Sequence, residues 1–340
     1  MIDQPIPAPA MVDLLTSIWE RVLERQPIGA DDNFFDIGGD PASVNRLFAE
    51  IARNCGRELS PLTIYQAPTI AALSAVLEEP APPRLSTLVR LKTGTRAQPI
   101  YMIPGMGGTV MEFFQLVKHL DSDHPIYGLQ SRGMDGVEQP FERIEDLAQF
   151  HLDAIRALQP RGPYILVGYS LGGLVALEMA QRLSDSGEAI ALFVMIETYV
   201  SRSYIARGKQ VVLARRRTSR FVRKLLRRAG FQLRTPENVG AGVLDRPDVG
   251  QKLTSVMLRA CDIADLTWRR YRPKHYKGRI TFLGSAERDP EYADDPASDW
   301  GKVSDDFVAE TLPGNHFDIL TTHSQSVGAA ISRYLMDLPR

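Results

Sequence analysis

One short stretch of the chain combines a buried strand, a glycine-rich turn and an apolar helix around a single serine. Residues 164–167 have the pattern of a strand, residues 168–173 read GYSLGG, and an apolar-periodic helix extends over 171–183. In this context small residues let the chain turn sharply from strand to helix and lift the hydroxyl of Ser170 above the sheet. The first N–H groups of the helix then point at any oxyanion formed there. The stretch therefore predicts that Ser170 is a nucleophile.

The order of elements after residue 86 predicts an α/β fold. Short apolar runs alternate with helical stretches, which favours a parallel sheet covered by helices on both faces. The predicted strands are 87–91, 100–103, 126–129, 164–167, 191–196 and 280–283, and the predicted helices are 111–120, 144–158, 171–183 and 324–338. A mainly helical insertion without a clear strand interrupts this order at about residues 199–270. We interpret it as a lid over the active site.

The first 86 residues differ in composition from the rest. We predict a flexible lead-in over residues 1–10 and a small helical bundle over 11–79, where apolar residues recur at helical spacing. A proline-rich linker over 80–86 then leads to the α/β domain over 87–338. The chain is thus expected to contain two domains.

Candidate residues for activating Ser170 follow it in the chain. His316 precedes the final predicted helix, where the general base is expected in the chain order serine, acid, histidine, and His323 is its only rival. Two carboxylates could orient the base, because Glu197 ends one predicted strand and Asp289 follows a later one. We prefer Glu197 and keep Asp289 as the alternative acid.

A second glycine-rich loop could complete the site. Residues 103–108 read IPGMGG and follow an early strand. We predict that the N–H of Gly105 is one donor to an oxyanion and that the N–H of Leu171, directly after the nucleophile, is the other.

Composition favours a cytoplasmic protein without a metal site. The formal net charge is −1, and no apolar run approaches the ~20 residues of a membrane span. The two cysteines, Cys55 and Cys261, are far apart and lack metal-binding spacing, which fits a reducing compartment. The first residues lack the features of a signal peptide.

Both parts of the chain resemble the C-terminal carrier–thioesterase didomain of nonribosomal peptide synthetases, over about residues 11–338. On the larger part the resemblance rests on IPG at 103–105, GYSLGG at 168–173, MIETY at 195–199 and GNHF at 314–317. It implies an α/β-hydrolase thioesterase that releases an acyl or peptidyl chain through an acyl-serine, by hydrolysis or cyclisation, in secondary-metabolite biosynthesis. Such an enzyme needs no cofactor of its own. The family usually has aspartate where Glu197 stands, and type II thioesterases place the acid before a proline, as in Asp289-Pro290.

On the smaller part the resemblance rests on DDNFFDIGGD at residues 31–40. In carrier domains the next residue is the serine that holds the phosphopantetheine arm, but here it is Pro41. Proline suits the start of a helix but has no hydroxyl. Ser43 is turned by ~200° around the helix and would be a poor substitute. The resemblance therefore implies a four-helix carrier-like bundle that is not itself modified, and a partner carrier in trans that bears phosphopantetheine.

Charge is distributed unevenly along the chain. Residues 1–80 have a net charge of −7, whereas residues 199–234 carry 10 arginines and 2 lysines without an acid. The basic segment is either a solvated helix face or a docking surface for an acidic carrier, its own or one in trans, or for a phosphopantetheine phosphate. No motif for nucleic-acid recognition accompanies it.

Two other interpretations stay open. The chain could be a carrier-independent serine esterase, or a non-catalytic docking module in which both sites have decayed. The presence of both Ser170 and His316 favours an enzyme.

Overall fold

The computed structural model describes residues 8–57, 59–79, 85–134, 138–200, 255–288 and 295–338. Most of the predicted lid, residues 201–254, lies outside these ranges, as do residues 201–234 of the basic segment and the alternative acid Asp289. None of the helices within the described ranges is long and apolar enough to cross a lipid bilayer.

The amino-terminal part is a small helical bundle. Its elements are α1 (Ala8–Leu23), α2 (Pro41–Cys55), a 3-10 helix (Pro61–Tyr65) and α3 (Ile70–Glu78). Side chains at the helix starts accept backbone N–H groups, since Asp40 caps α2 and Thr69 caps α3. Trp19 and Phe34 meet edge to face at 4.8 Å in the centre of its core. The bundle is helical as predicted, with a 3-10 helix as the third of its four segments.

The larger part is an α/β domain around a sheet of seven strands. The strands are β1 (Leu88–Lys92), β2 (Ile100–Ile103), β3 (Ile126–Leu129), β4 (Tyr164–Tyr169), β5 (Ile190–Ile196), β6 (Ile280–Glu287) and β7 (Phe307–Asn315). Their spatial order is β1-β3-β2-β4-β5-β6-β7. All neighbouring pairs are parallel except β1 with β3. The α/β prediction is therefore confirmed, but the sheet is not wholly parallel.

Helices cover both faces of the sheet. They are α4 (Phe114–Lys118), α5 (Ile144–Leu158), α6 (Leu171–Asp185), α7 (Ser255–Arg270), the short α8 (Ala297–Trp300) and α9 (Ser324–Met336). Strand β4 lies between β2 and β5, and its side chains alternate between two apolar cores. Leu166 packs with α5 and α6, whereas Ile165 and Val167 pack with α4 and α9. Burial on both faces explains why this strand appears in the sequence as an uninterrupted apolar run.

Two elements differ from the sequence prediction. Strand β7 was missed because it lies at the edge of the sheet and buries only Leu312 among its nine residues. The helix predicted over 111–120 divides into a 3-10 helix (Val110–Phe113) followed by α4. Thr109 begins the 3-10 helix, because its hydroxyl accepts the N–H of Met111 at 3.2 Å.

The helical bundle packs against the α/β domain through aromatic and apolar side chains. The ring of Phe35 stacks on Tyr65 at 4.8 Å and lies 5.4 Å from Phe114, the first residue of α4. Leu62 of the bundle shares an apolar cluster with Met134 of the α/β domain. The contact surface thus lies beside the Val110–Phe113 helix.

Candidate active site

Ser170 lies in a strained turn between β4 and α6. Its backbone has φ 53° and ψ −121°, which a residue other than glycine rarely adopts. The turn needs glycines around it. A Cβ on Gly168 would lie 2.5 Å from the carbonyl oxygen of Gly172, and one on Gly172 would lie 2.1 Å from that of Ile103. The GYSLGG sequence therefore produces the predicted sharp turn at the carboxyl edge of the sheet.

His316 follows β7 and reaches Ser170 from the same edge. Its Nε2 lies 3.2 Å from the Oγ of Ser170. The loop that carries it is fixed by Asp318, which accepts the backbone N–H of Asn315 at 2.6 Å and its side-chain amide at 2.7 Å. The rival His323 lies at the start of α9, with its ring against Gly314. The structure thus brings His316, and not His323, to the serine.

Two tyrosine rings hold the imidazole of His316 in place. The ring of Tyr169 stacks on it at 5.4 Å and 25°, and that of Tyr199 lies at 5.4 Å and 33°. The hydroxyl of Tyr169 also donates to the backbone carbonyl of His316. Neither tyrosine was predicted to belong to the site, although Tyr169 is part of GYSLGG and Tyr199 is part of MIETY.

Glu197 lies behind His316 and is fully buried. Its Oε2 lies 3.4 Å from His316 Nδ1 and accepts the hydroxyl of Tyr199 at 2.6 Å, while its Oε1 accepts the N–H of Ser285 at 2.6 Å. Burial opposes ionisation, but the interactions with His316, Tyr199 and Ser285 outweigh it and lower the pKa of the carboxyl. The distance to Nδ1 is long for a hydrogen bond, as is common in unliganded catalytic sites. Since Asp289 lies outside the described residues, Glu197 stays the preferred acid as a prediction.

The loop at residues 103–108 is contacted by a carboxylate, Glu112, that the sequence did not predict to belong to the site. The N–H of Gly105 donates to Oε2 of Glu112 at 2.8 Å, so this predicted oxyanion donor is already engaged. Within the described residues, the N–H groups of Met106 and Leu171 make no hydrogen bond. The only signal in the sequence was a single acid inside the apolar run after the loop.

We expect Glu112→Gln to remove a pH dependence of stability near neutrality. Burial raises the pKa of Glu112 from 4.5 to about 7, although the bond from Gly105 opposes this. Between those values the folded chain holds a proton that the unfolded chain has released. The contribution of Glu112 to stability is therefore full below pH 4.5 and is lost as the pH rises to about 7, a loss of about 1–3 kcal/mol. Urea unfolding at about pH 5 and about pH 8.5 measures the difference.

The exposed residue Glu287 gives the matched control for that measurement. Glu287→Gln should leave the pH dependence as it is in the unmodified protein. If Glu112→Gln also left the pH dependence of stability unchanged, Glu112 would ionise in the folded protein as readily as in water.

A small apolar cleft lies beside the nucleophile. It has a volume of about 30 Å³ and is lined by residues that include Met106, Leu171, Phe141, Val175 and Ile263. Because this lining is mainly apolar, the cleft suits a hydrocarbon portion of an acyl chain better than a charged one.

The start of α2 shows how the carrier-like site is built. Oδ1 of Asp40 accepts the N–H of Ser43 at 2.7 Å, and the hydroxyl of Ser43 accepts the N–H of Asp40 at 2.7 Å. This reciprocal capping box leaves Ser43 only 3% exposed. Pro41 occupies the first turn of the helix.

Family comparison decides the class of the larger domain. The thioesterase domain family matches residues 98–335, which is more than half of the chain. The chain belongs to the thioesterase family. The phosphopantetheine attachment site family matches residues 13–77 of this thioesterase, so the predicted order of a carrier domain followed by a thioesterase domain is confirmed. The predicted α/β-hydrolase class and the assignment as an enzyme are confirmed as well.

Curated relatives of the thioesterase include large synthetases. The dimodular nonribosomal peptide synthase of Bacillus subtilis (strain 168) is 36% identical over 188 residues, which cover 55% of this chain and 8% of that protein. Indigoidine synthase of Dickeya dadantii (strain 3937) is 36% identical over 174 residues, which cover 51% of this chain and 12% of that protein. The chain thus spans a small part of the length of these relatives.

Solved structures agree on the fold of the thioesterase. A four-domain nonribosomal peptide synthetase matches 99% of this chain and 26% of its own, with a TM-score of 0.60 and 22% identity. The NocB thioesterase domain, in covalent complex with a fluorophosphonate nocardicin G analog, matches 70% of this chain and 94% of its own, with a TM-score of 0.51 and 21% identity. At these identities the likeness concerns the fold alone.

Proposed function

We propose that the protein cleaves an acyl or peptidyl thioester presented by a carrier in secondary-metabolite biosynthesis, through an acyl-Ser170 intermediate. The observation that carries the proposal is the 3.2 Å approach of His316 Nε2 to Ser170 Oγ, with Glu197 behind the other ring nitrogen. The chain is released from the serine by water or by a nucleophile of the substrate itself, that is, by hydrolysis or cyclisation.

In the proposed mechanism His316 removes the proton of Ser170 as Oγ attacks the thioester carbonyl. The C–S bond then breaks, and the leaving thiol takes the proton from Nε2. In the second step His316 takes a proton from the incoming nucleophile and returns it to Oγ as the ester bond breaks. Glu197 fixes the tautomer that carries its proton on Nδ1, and the rings of Tyr169 and Tyr199 keep the imidazole aligned.

The oxyanion of each tetrahedral intermediate needs two N–H donors. Leu171 supplies one at the start of α6, where the helix dipole also favours negative charge. For the second donor we now favour Met106 over the predicted Gly105, because the N–H of Gly105 is engaged by Glu112. Both residues lie in the same loop, which passes directly beside Ser170.

We further propose that the substrate arrives on a carrier in trans. Pro41 offers no hydroxyl at the position where carriers hold their arm. The hydroxyl of Ser43 donates to Asp40 and accepts from its N–H inside the capping box, so it is not available for modification. The domain of the attachment-site family would then be a carrier-like domain without an arm.

Acyl loading tests the main proposal. The protein is incubated with an acylated carrier protein, with a free acyl thioester and with a free oxygen ester, and its intact mass is followed. The carrier-bound donor and the thioester are expected to give an acyl adduct on Ser170, since a thioester carbonyl is the more reactive electrophile. If only the oxygen ester loaded the protein, it would be a carrier-independent esterase.

We expect no mass gain when the protein is treated with a phosphopantetheinyl transferase and coenzyme A. The variant Pro41→Ser is the matched positive control, because it restores a hydroxyl at the start of α2 without altering the Asp40–Ser43 cap. It is expected to gain the mass of one phosphopantetheine. A gain by the unmodified protein, lost in Ser43→Ala, would instead identify Ser43 as the attachment site.

A further inference from the structure

The 3-10 helix Val110–Phe113, hereafter the bridging turn, touches both the active site and the carrier-like domain. Val110 and Phe113 are fully buried and anchor it to the α/β domain. Between them, Glu112 reaches the loop beside Ser170, whereas Met111 packs on the core of the carrier-like domain. The neighbouring side chains of Met111 and Glu112 therefore connect the carrier-like domain with the active-site loop of the α/β domain.

The carboxylate of Glu112 contacts the loop at residues 103–108, hereafter the oxyanion loop. Its Oε2 accepts the N–H of Gly105, and its Oε1 lies 2.9 Å from the position that a Cβ on Gly107 would take. A side chain at residue 107 would therefore displace the carboxylate. A Cβ on Gly105 would lie 3.3 Å both from Oε2 of Glu112 and from Cβ of Ser170. The glutamate thus holds the loop at the point where it passes the nucleophile.

The carrier-like domain packs on either side of Glu112. Phe35 contacts Phe114, directly after the bridging turn, and Met111 lies in the apolar cluster that Leu62 forms with Met134. The same cluster reaches the far end of the loop, because a Cβ on Gly108 would lie 3.2 Å from Sδ of Met134. The contact between the domains therefore meets the oxyanion loop at both ends.

We propose that the carrier-like domain is a positioning element of the thioesterase active site, acting through the bridging turn, with Glu112 as the positioning residue. The domain fixes Met111 and Phe114, these fix Glu112, and Glu112 fixes the loop that supplies an N–H to the oxyanion. This inference rests on the proposed catalytic role of Ser170, but not on the identity of the acyl group. It gives the domain a role that needs no phosphopantetheine arm.

The test compares variants of the full chain in two assays. One is the rate at which a fluorophosphonate labels Ser170, since its phosphoryl oxygen occupies the oxyanion position whatever the natural substrate is. The other is the kcat and KM for a free acyl thioester. Phe35→Ala and Glu112→Ala are each expected to lower the labelling rate and kcat by roughly 10- to 100-fold with little change in KM, because a small displacement of catalytic groups has effects of this size.

A double-variant cycle separates positioning from general destabilisation. If Phe35 acts through Glu112, the double variant Phe35→Ala/Glu112→Ala is expected to be no slower than the slower single variant. Glu112→Gln, whose amide oxygen can still accept the N–H of Gly105, should restore most of the rate. Leu14→Ala is the matched control, because Leu14 packs only within the carrier-like core and should leave both rates near those of the unmodified protein.

Several outcomes would overturn the inference. They are unchanged rates in Phe35→Ala, multiplicative effects in the double variant, or a Glu112→Gln variant as slow as Glu112→Ala. If Glu112→Ala does not fold, Glu112→Met replaces it, since methionine has similar length and cannot accept the bond. Failure of the unmodified protein to label at Ser170 would refute the proposed function together with the inference, whereas equal labelling of all variants would refute the inference alone.

Discussion

Replacement of Ser170 by alanine is expected to lower kcat for thioester cleavage by roughly 10⁵- to 10⁶-fold. The loss should be this large because, in the proposed mechanism, Oγ is the atom that forms the acyl-enzyme, and the remaining groups can stabilise only a direct attack by water. The rate is measured as thiol released from a small acyl thioester. Intact mass should show no acyl adduct on the variant, and its thermal midpoint should not fall, since the substitution removes one oxygen from a partly exposed side chain.

Ser131 is the matched control for this prediction. It is a serine that lines the cleft beside Ser170, and its hydroxyl makes no hydrogen bond to a histidine among the described residues. Ser131→Ala should therefore keep its acyl adduct and most of its rate. If Ser170→Ala still accumulated an acyl adduct at the normal rate, the nucleophile would be another residue.

Glu197→Gln is expected to lower kcat by roughly 10³- to 10⁴-fold, the second largest effect. In the proposed mechanism the carboxylate stabilises the imidazolium of His316 and selects its tautomer, whereas an amide does neither. The amide must also place an NH₂ group against the hydroxyl of Tyr199 or the N–H of Ser285, both of which donate to Glu197. An unsatisfied buried donor costs about 1–3 kcal/mol, so the thermal midpoint should fall together with kcat.

Asp289→Asn provides the comparison that decides between the two acids. We expect it to keep nearly the full rate and stability. Loss of activity in Asp289→Asn together with full activity in a folded Glu197→Gln would assign the acid to the loop after β6. Loss in both variants would mean that both carboxylates support His316.

The sequence predicts those helices and strands in which the buried positions repeat regularly from one end of the element to the other. Strands β2 and β3 and helix α5 have the predicted bounds, because both strands are interior to the sheet and apolar and the amphipathic helix has one continuous buried face. Edge strand β7 is mainly exposed and so lacks an apolar pattern. The antiparallel direction of β1 depends on its pairing with β3, which no local pattern specifies.

The candidate site likewise contains residues that a local motif predicts and residues that only tertiary contacts bring together. Ser170 and its glycines form a local motif, and chain order predicts His316, so the sequence alone pairs two residues that the structure brings within 3.2 Å of each other. The contact of Glu112 with Gly105 depends on how the bridging turn folds back over the loop. The stacking of Tyr169 and Tyr199 on His316 joins residues from β4, the end of β5 and the loop after β7. These contacts are tertiary, and the residue types alone carry no signal for them.

The capping box at the start of α2 has an evolutionary consequence. The helix is started by residues 40 and 43, so position 41 can exchange proline for serine while the cap stays intact. Proline and serine codons differ by a single base. A lineage could thus lose the ability to carry its own cargo, or regain it, in one mutational step without passing through an unfolded intermediate.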